Sequence, residues 1–268
     1  MMKSLCAVFG SLLVASLTPA SAHADVLARI RADGKIRIAI AAPTPPYSYV
    51  DAGNQLAGSD VDTARLLAKD LGVKLEIVRI NNSDRIPTLL EHRADLVVSA
   101  LSITPERERQ IAFSVPYAQI LIVIAAAHPP QLSSMLDLNG KTVGVLANSS
   151  NQASLVHDAP GASIIPYAEN DKLLAGYAAG EFDIISAPQS IVDAFNQTKP
   201  KRPLLTQFTQ SVFDIAIGMP NGEKPLRDWI NAWVVSNLRN DNLGKIYRKH
   251  HGGGLPSTIL PAAESGKK

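Results

Sequence analysis

Residues 99–107 read Ser-Ala-Leu-Ser-Ile-Thr-Pro-Glu-Arg, a run of hydroxyls, a helix-capping residue and a guanidinium that together could hold an anion. The apolar stretch 94–98 predicts a strand leading into it. Thr104 suits an N-cap, and Pro105 suits the first helical position, where its missing N–H removes no hydrogen bond. Arg107 then falls in the first helical turn. Free backbone N–H groups, the positive end of the helix dipole and a guanidinium able to grip a carboxylate through two parallel bonds would converge there. The commoner arrangement of the same residues is an ordinary strand end and cap, with Arg107 solvated or paired with Glu106 or Glu108.

These groups need a frame, and periodicity supplies one. Strands are expected at 35–41, 73–79, 94–98, 142–146, 162–166 and 182–186, with helices at 60–71, 84–92, 150–157 and 171–178. The same β-α-β-α-β order therefore occurs twice, before and after Pro129-Pro130. That order predicts an α/β fold of two lobes, each a mainly parallel sheet flanked by helices. Sheets of this kind place ligands beyond the carboxyl ends of their strands. Those ends read Ala-Pro-Thr-Pro-Pro-Tyr at 42–47, the Ser99–Arg107 run, Ala-Asn-Ser-Ser-Asn at 147–151 and Ser-Ala-Pro-Gln at 186–189. All four can face one cleft. The apolar runs 121–127 and 213–218 are the natural hinge crossings and would return the C-terminal helices to the first lobe. Trp229 and Trp233, four apart on an expected helix 226–238, suit packing. The resulting division is 1–24 as a signal peptide, 25–124 with 214–256 as lobe 1, 125–213 as lobe 2, and 257–268 as a flexible tail.

Met-Met-Lys, an apolar run 5–17 and Ala22-His23-Ala24 form the three parts of a secretory signal peptide, with cleavage expected before Asp25. Cys6 is the one cysteine and lies within that signal, so the mature chain should carry neither a disulfide nor a lipid anchor. No segment reaches the roughly 20 apolar residues of a membrane-spanning helix. Export to the periplasm is expected. Loss of residues 1–24 removes Lys3 and no acid, leaving 25 Lys plus Arg against 24 Asp plus Glu. Near neutrality points away from nucleic acid or an anionic membrane as a partner, and 46% hydrophobic residues can fill cores of this size.

Taken together, Pro46-Tyr47, Gly58-Ser59-Asp60-Val61-Asp62, Ser99 to Thr104 with Arg107, the segment 111–117 (Ile-Ala-Phe-Ser-Val-Pro-Tyr) and 140–145 (Gly-Lys-Thr-Val-Gly-Val) resemble the periplasmic solute-binding proteins of the amino-acid type (family 3), the receptors of ABC importers. The resemblance covers the whole mature chain. It implies two lobes that close on a small carboxylate-bearing solute, an amino acid or related organic acid, and a membrane permease that recognises the closed form of a monomeric receptor. It implies no cofactor, no metal and no catalysis. Carried over by position, Arg107 would clamp the solute carboxylate, assisted by Ser102 and the backbone near Ser99, while Ser150 would close on it from lobe 2. The residues agree, since Ser149 and Ser150 open an expected helix with free N–H groups; alternatively, 148–151 merely turn the chain and cap that helix.

Three positions depart from the family pattern. Ser59 stands where a ring usually covers the solute, Thr44 replaces a second aromatic and leaves Tyr47 and Tyr49 as the nearby rings, and Pro188 stands where an acid receives the α-ammonium. An unpartnered buried ammonium would cost about 3–5 kcal/mol, or two to three orders in affinity. The solute should therefore lack a conventionally held α-ammonium, or its amine meets an acid elsewhere. Two other readings use the same fold: an accessory protein serving a partner enzyme, and a periplasmic cyclohexadienyl dehydratase. The second needs a general acid in the cleft, where Gln152 falls. Gly140-Lys141-Thr142 lacks the first glycine of a phosphate loop. His250-His251 before three glycines reads as a solvated chain end, and Asp62 with Arg65 as solvated helix charges.

Overall fold

The structure, a computed structural model, describes residues 25–127 and 131–259; the expected signal peptide with Cys6, Pro129-Pro130 and the chain after 259 lie outside the described residues. The first lobe starts with α1 (Val26–Asp33), β1 (Lys35–Ala41) and a small ribbon of β2 (Tyr49–Val50) and β3 (Leu56–Ala57). It continues through α2 (Ser59–Leu71), β4 (Lys74–Ile80), α3 (Arg85–Leu90), β5 (Leu96–Val97), α4 (Pro105–Glu108) and β6 (Ala112–Phe113). β7 (Ala118–Ala126) crosses to the second lobe, made of β8 (Thr142–Leu146), α5 (Ser150–Asp158), β9 (Ser163–Tyr167), α6 (Asn170–Ala179), β10 (Ile184–Pro188) and α7 (Gln189–Gln197). β11 (Leu205–Ile215) returns, and β12 (Gly218–Met219), α8 (Lys224–Arg239) and α9 (Asn242–His251) complete the first lobe.

One five-stranded sheet has the order β4-β1-β5-β12-β6, the other β11-β7-β10-β8-β9. β1 runs parallel to β4 and β5, and β8 parallel to β9 and β10, whereas β12 and β7 are antiparallel to their neighbours. The inner parallel strands β1 and β8 are apolar on both faces, as helix-covered sheets require, while the edge strand β4 carries exposed Lys74, Glu76 and Arg79. In β1, Ile36 and every residue from Ile38 to Ala41 are buried. The cores divide along β7: Ala118, Ile120 and Ile122 pack in the first lobe, Val123 to Ala126 in the second. β11 pairs with β7 from Leu205↔Ala126 to Ile215↔Ala118, so the two crossings form one ribbon. Trp233 is buried in the first core and its indole N–H donates to Asp70 at 2.8 Å.

Two ends of the short β5 are fixed independently. At its start, buried Asp95 accepts the backbone N–H of Arg37 (2.8 Å) and pairs with the guanidinium groups of Arg37 and Arg29. At its far end the chain enters the Ser99–Arg107 run. The tail does not begin at 257 as expected, because Ile259 is buried in the first core. α2 begins one residue earlier than expected, since Gly58, at φ 125°, turns the chain directly beneath Tyr47. A Cβ on Gly58 would lie 2.2 Å from the Tyr47 carbonyl oxygen. Gly58→Ala should therefore destabilise the fold by about 1–3 kcal/mol through backbone strain and clash. Urea unfolding measures it, and an unchanged midpoint would show that the turn relaxes freely.

Candidate functional site

The run from Ser99 to Arg107 is held from both sides before any ligand is considered. Ser99 Oγ accepts the Ala41 N–H (2.9 Å), tying the end of β5 to the end of β1. Ala100 adopts a left-handed conformation (φ 43°), unusual for a residue with a Cβ. Its N–H donates to Asp60 Oδ2 (2.8 Å), and Tyr117 donates its hydroxyl to Asp60 Oδ1 (2.9 Å). From the other side, buried Arg85 donates to the carbonyls of Ser99 (3.1 Å), Ala100 (3.4 Å) and Asn82 (2.9 Å). These bonds hold the strained turn and aim Ser102 and Arg107 at the second lobe.

Arg107 is buried, and its guanidinium donates to the Ser102 carbonyl (2.9 Å) and, across the lobe junction, to the Asn148 carbonyl (3.3 Å). No carboxylate pairs with it among the described residues. Burial pushes its pKa down to about 10. Arg85 is pushed well down by burial and by the neighbouring charge of Arg107. Of the two desolvated guanidinium groups, only Arg85 feels the buried acid Asp60, whose own pKa burial raises to about 7. A desolvated cation met only by carbonyl dipoles favours an anion, and the fork of a guanidinium matches a carboxylate.

Four hydrogen bonds join the lobes here. Beside the Arg107 bond, Ser102 Oγ and Ser150 Oγ lie 3.1 Å apart, Asn82 donates to the Ala147 carbonyl (3.0 Å), and Asn170 donates to the Pro43 carbonyl (3.1 Å). The second-lobe side is a tight turn: Asn148 has φ 54° and donates its N–H to Gln152 Oε1 (2.7 Å), and Ser149 caps α5 by accepting the Gln152 N–H (3.2 Å). Asn151 points inward, donating to the Ser186 carbonyl and hydroxyl at 2.9 Å.

The structure therefore brings Arg107, Ser102 and Ser150 together at one seam, with Ser99 and Ser149 behind them as supports. One sequence expectation needs correction: α4 is only four residues long, so it supplies no appreciable helix dipole. Thr104 does cap it, accepting the Arg107 N–H at 3.4 Å, but the anion-binding capacity lies in the guanidinium. Tyr47 and Ser59 are not at this seam. Ser59 Oγ lies 3.0 Å from His251 Nε2, and Tyr47 meets the His251 ring edge-on at 4.7 Å while its hydroxyl donates to the Gln119 carbonyl (3.3 Å). Pro188 is buried at the end of β10 and leads into α7.

The His250-His251 end is likewise not a solvated chain end. His251 stacks on Tyr247 (3.9 Å, 1°), and burial, then His250, push its pKa down to about 4. His250, with 7% of its side chain exposed, binds Asp62 at 2.7 Å, as Lys249 does. Asp62 is thus a junction between α2 and α9; Arg65 adds a contact at 3.1 Å. Burial raises Asp62, but the His250 and Lys249 bonds outweigh it and hold it below the usual carboxylate value. Sequence reading missed Arg85, Asn82, Asn170 and His251, whose partners lie far along the chain.

Residues 36–253 match the family model described as bacterial extracellular solute-binding proteins, family 3. The chain is 29% identical over 221 residues to the putative ABC transporter arginine-binding protein 2 of Escherichia coli, covering 80% of this chain and 89% of that one. It is 33% identical over 186 residues to the lysine/arginine/ornithine-binding periplasmic protein of the same organism, covering 68% of each. Among solved structures, an ancestral amino acid-binding protein described as a precursor of cyclohexadienyl dehydratase matches with a TM-score of 0.77 and 25% identity, over 84% of this chain and 98% of that one.

The raised pKa of Asp60 has a definite sign in stability. A carboxyl whose folded value lies above its unfolded value contributes stability that is present at acid pH and is lost as pH rises through the folded value. Relative to Asp60→Asn, the parent should lose up to about 4 kcal/mol of stability between pH 4 and pH 7. Unfolding of both proteins across that range measures it; parallel profiles would mean that Asp60 titrates normally.

Proposed function

Because the chain belongs to the bacterial extracellular solute-binding proteins of family 3, we propose that it is a periplasmic receptor of an ABC importer that captures a small carboxylate-bearing solute by hinge closure. The observation that carries this reading is Arg107, a buried guanidinium at the lobe seam with no acid facing it among the described residues. A solute carboxylate would take the bonds that the Ser102 and Asn148 carbonyls now accept, with Ser102 and Ser150 adding hydroxyl donors from opposite lobes. Closure strengthens these bonds by excluding water. The moving units are the lobes expected at 25–124 with 214–256 and at 125–213, and the separate hydrophobic cores and the paired β7–β11 ribbon support hinge motion between them.

The amino-acid relatives raise the question of the α-ammonium. Pro188 offers it no charge, so the reading is a solute without a conventionally held α-ammonium, or one whose amine is met by another acid. Binding without catalysis is favoured over dehydration: Gln152 is occupied at the α5 turn, and an amide there supplies no carboxylic proton. The permease would read the closed lobes, and the receptor would act as a monomer.

Calorimetric titration with a panel of amino acids, simple and aromatic carboxylates and prephenate tests the reading. At least one carboxylate should bind without being converted. Arg107→Ala should weaken that ligand by two to three orders of magnitude, the cost of an unpartnered buried charge, while the variant still unfolds cooperatively. Equal affinity in parent and variant would overturn the assignment, and turnover of prephenate would replace it with the enzyme.

A further inference from the structure

Two amides join the lobes outside the Arg107–Ser102–Ser150 cluster, and they do so reciprocally. Asn82 of the first lobe, between β4 and α3, donates to the Ala147 carbonyl just beyond β8 (3.0 Å). Asn170, the first residue of α6 in the second lobe, donates back to the Pro43 carbonyl just beyond β1 (3.1 Å). Each acceptor belongs to the backbone of the opposite lobe, so neither bond waits on a solute. The gap beside the two amides, lined also by Thr44, Asn81, Leu146 and Glu169, measures about 10 Å³. That is room for about one water and too little for a solute.

Closure also carries a cost at Asn170. The residue is only 3% exposed, and its Oδ1 has no hydrogen-bond partner among the described residues. In parted lobes water would reach that oxygen, so closing makes two bonds and desolvates one acceptor. Each bond is worth roughly two- to tenfold in the closing equilibrium, and the stranded oxygen offsets part of it. The result is a weak and reversible clasp. It lies close to the seam in the chain: Ala147 precedes Asn148, whose carbonyl meets Arg107. On the other side, the Asn82 carbonyl accepts from Arg85 (2.9 Å), which also holds the Ser99 and Ala100 carbonyls.

We propose that Asn82 and Asn170 are positioning residues that form a latch: they set how readily the lobes close, and so bring Ser150 to Arg107 and Ser102, without touching the solute. The inference rests on the receptor reading and adds a control on affinity that is independent of solute chemistry. A solute that binds the closed lobes draws on the closing equilibrium, so its affinity follows the free energy of closure. Where the free lobes are mostly apart, loss of the latch reaches the affinity; where they are mostly closed, it reaches the shape of the free protein.

The test joins small-angle X-ray scattering of the free protein to calorimetry with L-arginine, L-glutamate and benzoate, for the parent, Asn82→Ala, Asn170→Ala and the double variant. The double variant should weaken every probe that the parent binds by one common factor of roughly threefold or more, or enlarge the radius of gyration of the free protein. Asn82→Ala should be the stronger single change, because Asn170→Ala also removes the unsatisfied oxygen. Unchanged scattering with unchanged affinities, or a loss confined to one of several bound probes, overturns the inference and leaves the receptor reading intact. A lowered melting temperature with neither readout moved marks a purely structural role and overturns it as well. Failure of the parent to bind any of the three probes counts against the receptor reading instead, and the scattering alone then decides the latch.

Discussion

The architecture of this protein depends on keeping one guanidinium desolvated where two lobes meet. Arg107 is 8% exposed and its bonds go to carbonyl oxygens, one from each lobe. An unpaired buried charge is unfavourable in isolation, so its persistence needs a scaffold that cannot yield. The anchoring of Ser99 to β1, the grip of Asp60 on the Ala100 N–H and the capping of the neighbouring carbonyls by Arg85 provide that scaffold. The left-handed Ala100 is a consequence: the turn is over-determined by its partners, and the strain sits in the run that carries Arg107.

Function follows from how the two sheets are joined. The β7–β11 ribbon passes from one core to the other, so the lobes share two strands, and polar contacts join them at the seam. Its closing bonds come from Ser102, Ser150, Asn82 and Asn170, each donating to or meeting a group of the opposite lobe. On the proposed reading, a solute carboxylate would compete with the Asn148 carbonyl for the same Arg107 donor, which would couple ligand charge to lobe closure.

Much of this was legible in the sequence, and the limits are physical. Strands 35–41 and 142–146 were read to the residue because their apolar runs are bounded by Gly34-Lys35 and Gly140-Lys141 at the start and by loop residues at the end. β10 lies two residues later than expected, since the apolar Phe182 packs in the core without joining the ladder and Pro188 is tolerated at a strand's end. The positions of Arg107 and Ser150 at helix starts were legible from the caps at Thr104 and Ser149, whereas Ser102 was singled out by the family resemblance. The length of α4 was not legible, because Pro105 and Thr104 specify where a helix starts and nothing local specifies that it stops after Glu108. Beside local contacts with Asn82 and Tyr247, Arg85 and His251 act through partners 14 and 192 positions away, which no local pattern reveals.

The most direct test of the account is a crystal structure of the protein with the tightest-binding carboxylate from a ligand screen. The account predicts the carboxylate on the Arg107 guanidinium, with the Asn148 carbonyl displaced from it and Ser102 and Ser150 within hydrogen-bond distance of the ligand. A ligand seated elsewhere, with Arg107 still bonded to the Ser102 and Asn148 carbonyls, would contradict it.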